Sequence, residues 1–190
     1  MRSRHSFYES THTGGVVGTM EILRKQLAAL HNDCLVWSMQ CCRGDEEEAE
    51  EVLQCVYEKI ISGRAVYSGR SVLKTWVFGV IRKTAWERIR RRDRRRKLLR
   101  LFRVEPYDVS TPQDEMESME RKDRVQALLA ELSERQRTVI ELVFYHDLTI
   151  AEAADVMGIS LGTARVHYDR AKKELRKRLD QMGEQYALGR

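Results

Sequence analysis

The distribution of proline constrains this chain more than any other feature of its sequence. The chain of 190 residues has two prolines, Pro106 and Pro112, and both lie in residues 104–114 (VEPYDVSTPQD), where the regular spacing of apolar residues is interrupted. Proline breaks helices, and the rest of the chain is free of it, so long helices can form on either side. We therefore expect an all-α protein of two small helical domains, residues 20–103 and 115–182, joined by a flexible linker at residues 104–114.

The two ends of the chain carry weaker patterns. Residues 1–19 contain three glycines among polar residues and are predicted to be a disordered extension, and residues 183–190 are predicted to be a C-terminal tail. No apolar run reaches the roughly 20 residues that a membrane helix needs, and no secretory signal is visible at the start. We expect no membrane insertion and a cytoplasmic location.

The C-terminal domain is predicted to contain four helices. Residues 125–132 have apolar residues at i, i+3, i+4 and i+7, which indicates one amphipathic helix. Capping boxes, in which Ser or Thr is followed three residues later by Gln or Glu, occur at Ser133 and at Thr149 and predict two helix starts. Ser160 is predicted to cap the last helix. The inward stripe of that helix would be Ala164, Tyr168, Ala171, Leu175 and Leu179.

Residues 149–173 (TIAEAADVMGISLGTARVHYDRAKK) carry the most specific pattern. A short helix, a turn at Gly158 and a second helix predict a helix-turn-helix. In the major groove Arg165 could bond a guanine at two points, while Thr163 suits phosphate contact. The alternative is a helical hairpin that only packs against another surface. One residue does not fit DNA binding: Asp169, on the outward side, would repel phosphate. The candidate DNA-contacting residues are Ser160, Gly162, Thr163, Arg165, Val166, His167, Arg170 and Lys173.

Charge is segregated in the N-terminal domain. Residues 45–51 (DEEEAEE) hold six acidic residues, whereas residues 88–100 (RIRRRDRRRKLLR) hold nine basic residues and one acidic residue. The acidic stretch would begin a helix over residues 45–61, where it suits the helix dipole. A second helix over residues 71–97 would contain Trp76 and continue into the basic run. Two partner surfaces of different character are expected from this segregation, or else two solvated helix faces.

The basic balance of the chain favours a polyanionic partner. The formal net charge is +5, and arginines that follow a helix suit the DNA backbone, because bound cations release condensed counterions. Tyr67 lies in the glycine-flanked loop of residues 62–70 (SGRAVYSGR), where its ring could stack on an unpaired base. A tyrosine of the hydrophobic core is the alternative.

No pattern indicates a catalytic or metal site. Cys34, Cys41, Cys42 and Cys55 lack the paired spacing of zinc ligands and are expected to be reduced, buried thiols. A DNA-processing enzyme such as a recombinase would need clustered acidic residues, or a serine or tyrosine nucleophile with basic partners. We find neither in a suitable context, and we expect a protein that is not an enzyme and has no cofactor.

Residues 131–179 resemble the C-terminal domain of RNA polymerase sigma factors, which reads the −35 promoter element. The segments LSERQRTVIEL and LTIAEAADVMGISLGTARVHYDRAKKEL follow that family in order and spacing, and GTAR stands where GTV and a basic residue are usual. Val166, His167 and Asp169 depart from the small polar, basic or aromatic residues that are usual there. The resemblance implies −35 binding by the candidate residues but not a particular base preference.

The N-terminal domain resembles the sigma domain that melts and reads the −10 element. GDEEEAEEVLQCVYEKI followed by SVLKTWVFGVIRKTAWERIRRR is most similar to the short extracytoplasmic-function (ECF) type, which has these two domains and a linker. By this resemblance Tyr67 lies on the loop that captures a flipped −10 base, whereas Lys83 replaces the usual asparagine. The implied −10 residues are Tyr67, Ser68, Arg70, Trp76, Lys83, Trp86, Arg90 and Arg91.

The resemblance also implies the partners. Core RNA polymerase would be bound at its β′ clamp, through Glu50, Gln54 and Glu58, and at its β flap, with promoter DNA as a second partner and an anti-sigma factor as a further one. The predicted function is that of an ECF-type sigma factor that recognises −35 and −10 elements and promotes transcription initiation. The alternative is a helix-turn-helix regulator that binds duplex DNA without acting as a polymerase subunit.

Overall fold

The chain is helical throughout the part that the structure describes. The structure is a computed structural model, and it describes the backbone of residues 13–101 and 128–188 and the side chains of residues 21–95 and 128–181. Within these ranges there is no strand, so the all-α prediction is confirmed. The predicted linker, residues 104–114, lies outside the described residues. The helices are α1 (Thr13–Ala29), α2 (His31–Cys41), α3 (Glu46–Ile61), α4 (Leu73–Leu101), α5 (Glu134–Phe144), α6 (Ile150–Met157) and α7 (Leu161–Leu188).

Helices α2, α3 and α4 pack together in the N-terminal domain. The Asp45 side chain caps α3 by accepting a hydrogen bond from the Glu48 backbone N–H at 3.0 Å, and three glutamates in the first turn suit the positive end of the helix dipole. The inner face of α3 buries Val52, Val56 and Ile60.

Helices α6 and α7 form the predicted helix-turn-helix. The Thr149 hydroxyl accepts from the Glu152 N–H at 3.2 Å, and Glu152 Oε2 accepts from the Thr149 N–H at 2.8 Å, which completes the capping box. Gly158 has a φ of 64°, a left-handed conformation that glycine adopts without strain. The Ser160 hydroxyl caps α7 by accepting from the Thr163 N–H at 3.1 Å. These local contacts explain why the turn could be predicted from sequence.

The inward stripe predicted for α7 is correct at its start and wrong at its end. Ala164 and Ala171 are fully buried, but Leu179 is 56% exposed. Helix α7 has 28 residues, whereas α5 and α6, against which it packs, have 11 and 8. Its C-terminal half therefore extends past both of them.

Helical structure also reaches further toward both ends of the chain than we expected. Helix α1 includes residues 13–19 of the predicted disordered extension, and α7 includes residues 183–188 of the predicted tail. Glycine weakens a helix by about 1 kcal/mol relative to alanine but, unlike proline, keeps its backbone N–H, so it does not stop a helix. Residues 1–12 and 189–190 lie outside the described residues.

The two domains pack against each other through a shared apolar core. Trp37, Phe78 and Ile81 of the N-terminal domain belong to the same buried cluster as Leu142 and Val156 of the C-terminal domain. A smaller cluster, formed by Leu129, Leu132, Ile140 and Ala171, lies within the C-terminal domain. The sequence predicted two domains but not this contact.

No helix among the described residues is long and apolar enough to cross a membrane.

Candidate nucleic-acid and polymerase interfaces

The N-terminal turns of α7 carry all the predicted −35 residues. Arg165, Val166 and Arg170 are exposed, whereas Thr163 and His167 are half-buried. Gly162 and Lys173 are exposed on the same stretch, and Ser160 is exposed although its hydroxyl also caps the helix. The helix therefore presents a polar, exposed side of the kind that enters a major groove.

This side of α7 is more basic than the sequence pattern alone indicated. Partial burial, followed by the charges of Arg135 and Arg170, lowers the pKa of His167. His167 is therefore a neutral hydrogen-bonding group at pH 7, and Arg135, in the first turn of α5, is a further basic residue beside α7. No local spacing relates Arg135 to this surface, because it lies thirty residues before Arg165, in a different helix. Asp169 is exposed within the same region and weakens the positive potential.

Four predicted −10 residues follow one face of α4. Trp76, Lys83, Trp86 and Arg90 line the same cleft. The guanidinium carbons of Arg82 and Arg90 lie 5.5 and 4.9 Å from the Trp86 ring centroid, within the range of cation–π attraction. The two cations hold the indole in place. Trp86 is still 38% exposed, so its ring reaches the surface.

Part of the arginine run is engaged in ion pairs inside the N-terminal domain. Arg88 donates to Glu48 at 2.6 Å and also pairs with Glu51, while Arg92 lies 3.4 Å from the Asp45 carboxylate. The acidic start of α3 and one side of the basic run therefore neutralise each other. The expectation that the two stretches form separate partner surfaces is wrong for these residues, because the fold places α3 against α4.

Three other arginines of the run form no ion pair with α3. Arg91, Arg94 and Arg95 are exposed and form no ion pair with an acidic residue in the ranges that the structure describes. Cations without a protein partner keep their attraction for phosphate, so these three arginines are better candidates for the DNA backbone than Arg88 and Arg92.

Tyr67 is half-buried in the loop between α3 and α4. Its hydroxyl donates to the Ser71 carbonyl oxygen at 2.5 Å, and its ring centroid lies 5.3 Å from that of Trp76 at an angle of 47°. Neither of the two buried clusters includes Tyr67, so it is not a core tyrosine. The neighbouring Ser68 and Arg70 are exposed. The fold thus puts two aromatic rings side by side at the edge of the basic helix.

Glu50, Gln54 and Glu58, the predicted polymerase-binding residues, lie along the exposed side of α3. All three border a groove of about 620 Å³. Its apolar part is formed by Leu35, Leu53, Tyr57 and Ile61. Apolar contact area with a polar rim is typical of a groove that accepts a partner helix.

An exposed aromatic surface at the end of α5 was not predicted. Phe144 and Tyr145 are 60% and 59% exposed, and the Phe144 ring stacks on Tyr168 with centroids 6.2 Å apart. The Lys172 ammonium lies 5.2 Å from the Tyr168 ring centroid. Exposed aromatic side chains grouped in this way indicate a protein-binding surface.

The cysteines show no ligand geometry. Burial is the main cause that raises the pKa of the Cys34 and Cys42 thiols to about 11, so both are protonated and unreactive at neutral pH. All four cysteines are free, and among the described residues no three His, Cys, Asp or Glu side chains are grouped as metal ligands would be.

Both domains match known families. Residues 35–95 match the family described as Sigma-70 region 2, and residues 122–175 match the family described as Sigma-70, region 4. The chain is 29% identical over 146 residues to the ECF RNA polymerase sigma factor SigX of Bacillus subtilis (strain 168), which covers 74% of this chain and 75% of SigX. It is 30% identical over 134 residues to the ECF RNA polymerase sigma factor RpoE of Cereibacter sphaeroides, which covers 70% of this chain and 71% of RpoE.

Solved structures share the fold. The sigma factor RpoE from Bartonella quintana, in complex with the anti-sigma factor NepR, aligns with a TM-score of 0.65 and 21% identity over 84% of this chain and 98% of that chain. CnrH, in complex with the cytosolic domain of CnrY, aligns with a TM-score of 0.57 and 20% identity over 83% of this chain and 87% of that one.

Region 2 and region 4 occur in this chain in that order, each on its own helical domain, and together they define a sigma factor of RNA polymerase. The chain belongs to the ECF family of these factors. It binds core RNA polymerase, recognises −35 and −10 promoter elements and promotes transcription initiation. The alternative of a regulator that acts without polymerase is not favoured, because it gives no role to region 2.

Proposed function

We propose that this sigma factor reads the −35 element with α7, reads the −10 element with α4 and the Tyr67 loop, and docks on core polymerase through α3. The observation that carries the proposal is the exposed basic side of α7, directly after a capped helix-turn-helix turn.

At the −35 element, Arg165 is the principal base-reading residue. Its side chain is exposed in the second turn of α7, where a guanidinium can donate two hydrogen bonds to a guanine. Thr163, four residues before His167, and Arg135, whose charge acts on His167, would hold the phosphates. The positive end of the dipole of α7 adds to the attraction for phosphate.

At the −10 element, aromatic rings and free cations have different tasks. Arg91, Arg94 and Arg95 neutralise the backbone, because they are not engaged by the acidic start of α3. Trp86, held by its two arginines, borders the upstream base pairs together with Lys83. Tyr67 stacks on a base after strand separation, a contact that contributes about 1–3 kcal/mol.

Core polymerase engages two surfaces. The β′ clamp occupies the groove beside Glu50, Gln54 and Glu58, whose apolar walls suit a helix and whose rim is acidic. The β flap occupies the aromatic surface of Phe144, Tyr145 and Tyr168, since stacked, exposed rings lose unfavourable contact with water when a partner covers them.

This sigma factor supplies no catalytic group of its own, and polymerase performs the chemistry in the cytoplasm. The anti-sigma factor implied by the family resemblance stays a prediction. The anti-sigma factor NepR is bound to the sigma factor RpoE of Bartonella quintana, and the cytosolic domain of CnrY is bound to CnrH; RpoE and CnrH share the fold of this chain at about one fifth sequence identity.

In vitro transcription with core polymerase on a promoter library tests the function and defines both elements. We expect transcripts that start downstream of one −35 and one −10 sequence. Polymerase that initiates no better with this chain than without it would refute the proposal.

The docking groove is tested by charge reversal with a matched control. Glu50→Arg is expected to weaken co-elution with core polymerase several-fold, because Glu50 borders the groove. Glu47→Arg changes the same helix at an exposed position outside the groove and is expected to bind normally. Equal losses in both proteins would show that overall charge matters and the groove does not.

A further inference from the structure

Asp169 is the only acidic residue in residues 161–173, the part of α7 assigned to the −35 element. The inward side of this helix is marked by Ala164 and Ala171, which are fully buried. Successive residues of an α-helix are about 100° apart, so Asp169 lies roughly 150° around the helix from these two alanines. It is exposed. Its carboxylate therefore lies on the side that faces DNA when α7 enters a major groove.

The basic residues next to Asp169 do not pair with it. Arg170 follows it directly, and Lys173 lies one turn further on, at the spacing of an i, i+4 ion pair. Asp169 forms no salt bridge with either residue, or with any other side chain that the structure describes, whereas Glu174 of the same helix pairs with Arg178 at 2.9 Å. The oxygens of the Asp169 carboxylate are therefore available as hydrogen-bond acceptors.

Asp169 lies beside Arg165, the residue proposed to read a guanine. The two are four positions apart, so they are neighbours on one side of α7, about 6 Å from each other along the helix axis. Base pairs are stacked about 3.4 Å apart, so this separation corresponds to roughly two base pairs. When Arg165 reaches one base edge, Asp169 therefore reaches the edge of a nearby base pair.

The chemistry of a carboxylate matches one base better than the others. An ionised aspartate only accepts hydrogen bonds. In the major groove guanine offers two acceptors, thymine offers an acceptor and a methyl group, and adenine offers a donor next to an acceptor. Cytosine offers the N4 amino donor alone. A carboxylate at this position is therefore compatible with cytosine and is opposed by an acceptor at each of the other three bases.

We propose that Asp169 is a specificity-determining residue that accepts a hydrogen bond from the N4 amino group of a cytosine in the −35 element. The proposal rests on the docking of α7 proposed above. The phosphates repel the carboxylate at every sequence, and only cytosine offsets this cost with a hydrogen bond. Asp169 thus acts mainly by rejecting promoters that have another base at this position.

The proposal is tested with the holoenzyme and a promoter library in which each −35 position is varied singly. We expect the wild-type holoenzyme to prefer cytosine about fivefold to fiftyfold at one position that Arg165 does not read. In Asp169→Ala this preference is expected to fall below about twofold, while promoters with another base there bind about twofold or more tighter, because the repulsion is gone. Asp169→Asn is expected to shift the preference toward adenine, since an amide bonds both N6 and N7 of that base.

A control variant and a modified base make the test specific. Asp180→Ala removes the same charge from an exposed position of α7, eleven residues further on, and is expected to leave every base preference unchanged. N4-methylcytosine still pairs with guanine but has a methyl group in place of the N–H that faces the major groove. We expect it to weaken binding of the wild-type holoenzyme about fivefold or more and to have little effect on Asp169→Ala.

Three results would overturn the role of Asp169. One is the lack of a cytosine preference at any −35 position in the wild type, and another is an Asp169→Ala holoenzyme that binds all sequences more tightly with unchanged preferences. The third is a loss confined to the guanine that Arg165 reads, which would mean that Asp169 only orients Arg165. The docking of α7 is judged separately by Arg165→Ala: if it alters a base preference while the Asp169 variants do not, only the role of Asp169 is refuted.

Discussion

Arg88 of α4 donates a hydrogen bond from its Nε to Oε1 of Glu48 on α3, at 2.6 Å. The contact joins the two most strongly charged stretches of the chain, residues 45–51 and 88–100. Ion pairing within the domain withholds Arg88 from DNA and Glu48 from any basic partner. Fewer charged side chains are therefore free to bind a partner than the sequence composition indicates. Those that are free lie outside the ion pairs between residues 45–51 and 88–100.

The arginines outside these ion pairs are expected to control the salt dependence of DNA binding. Each neutralised phosphate contributes a slope of about −0.7 to −0.9 in log K against log salt. Replacing Arg91, Arg94 and Arg95 by alanine is therefore expected to reduce the magnitude of the slope by up to about two to three units. Fluorescence anisotropy of a promoter fragment at several salt concentrations measures it.

Arg88→Ala is the matched control for the single change Arg91→Ala, because each removes one positive charge from the same helix. We expect a lower free energy of unfolding, since Glu51 loses its partner and Glu48 keeps only Arg92, at 3.7 Å, and a nearly unchanged salt slope. If Arg88→Ala reduced the slope as much as a change at Arg91, the ion pairs would not be withholding Arg88 from DNA.

In the recognition helix, Arg165→Ala is expected to weaken promoter binding by about 1–3 kcal/mol and to relax the preference at one −35 position. Thr163→Ala is expected to weaken binding evenly across sequences, because phosphate contacts carry no base information. Binding to a library of −35 variants distinguishes the two effects. An Arg165→Ala protein with an unchanged base preference would show that the docking of α7 proposed here is wrong.

Tyr67 is expected to act in promoter opening and not in duplex binding. Loss of a stacked ring, worth about 1–3 kcal/mol, shifts the closed-to-open balance at least several-fold. In the holoenzyme, Tyr67→Ala is expected to lose permanganate reactivity of −10 thymines while −35 binding stays near the wild-type level.

Tyr67→Phe is the control for stacking. It keeps the ring beside Trp76 and loses only the hydrogen bond to Ser71, so most of the opening is expected to remain. A purely structural tyrosine would behave differently: Tyr67→Ala would lower the melting temperature and reduce polymerase binding, duplex binding and opening together.

Glu141 is expected to make stability depend on pH. Burial raises its pKa to about 7, and Arg137, 3.9 Å away, offsets this only in part. A carboxyl whose pKa is higher in the folded protein stabilises the fold fully below its unfolded value of about 4.5, and this contribution is lost as the pH rises through 7. Glu141→Gln, which is neutral at every pH, is therefore expected to stabilise the protein by about 1–3 kcal/mol at pH 8 and by less than about 1 kcal/mol at pH 5.

Urea unfolding of both proteins at the two pH values measures this difference. His146 has the opposite sign, because its lowered pKa of about 4 makes stability fall as the pH drops from 6.5 toward 4. It is present in both proteins, so its contribution cancels in the comparison. An equal difference in unfolding free energy at pH 5 and pH 8 would contradict the assignment to Glu141.

The elements that sequence predicted correctly are those built from local contacts. The box of Thr149 with Glu152, the cap at Ser160 and the positive φ of Gly158 involve residues at most three positions apart, or a single residue. Short-range contacts of this kind depend on backbone geometry that any helix start or turn shares. Their residue types and spacing therefore identified the helix-turn-helix without knowledge of the rest of the fold.

Contacts between distant residues were decided by the tertiary structure. Arg88 and Glu48 are 40 positions apart, and His146 and Gln40 are 106 apart, so no local spacing relates them. These side chains meet because the helices that carry them bury their apolar faces against each other. Packing of the whole chain decides which faces these are. The sequence by itself determined the capped helix starts, the turn and the sigma-factor family. Only the packed structure decided how far the helices extend, which charges remain free and that the face of α4 proposed for the −10 element lies against the helix-turn-helix.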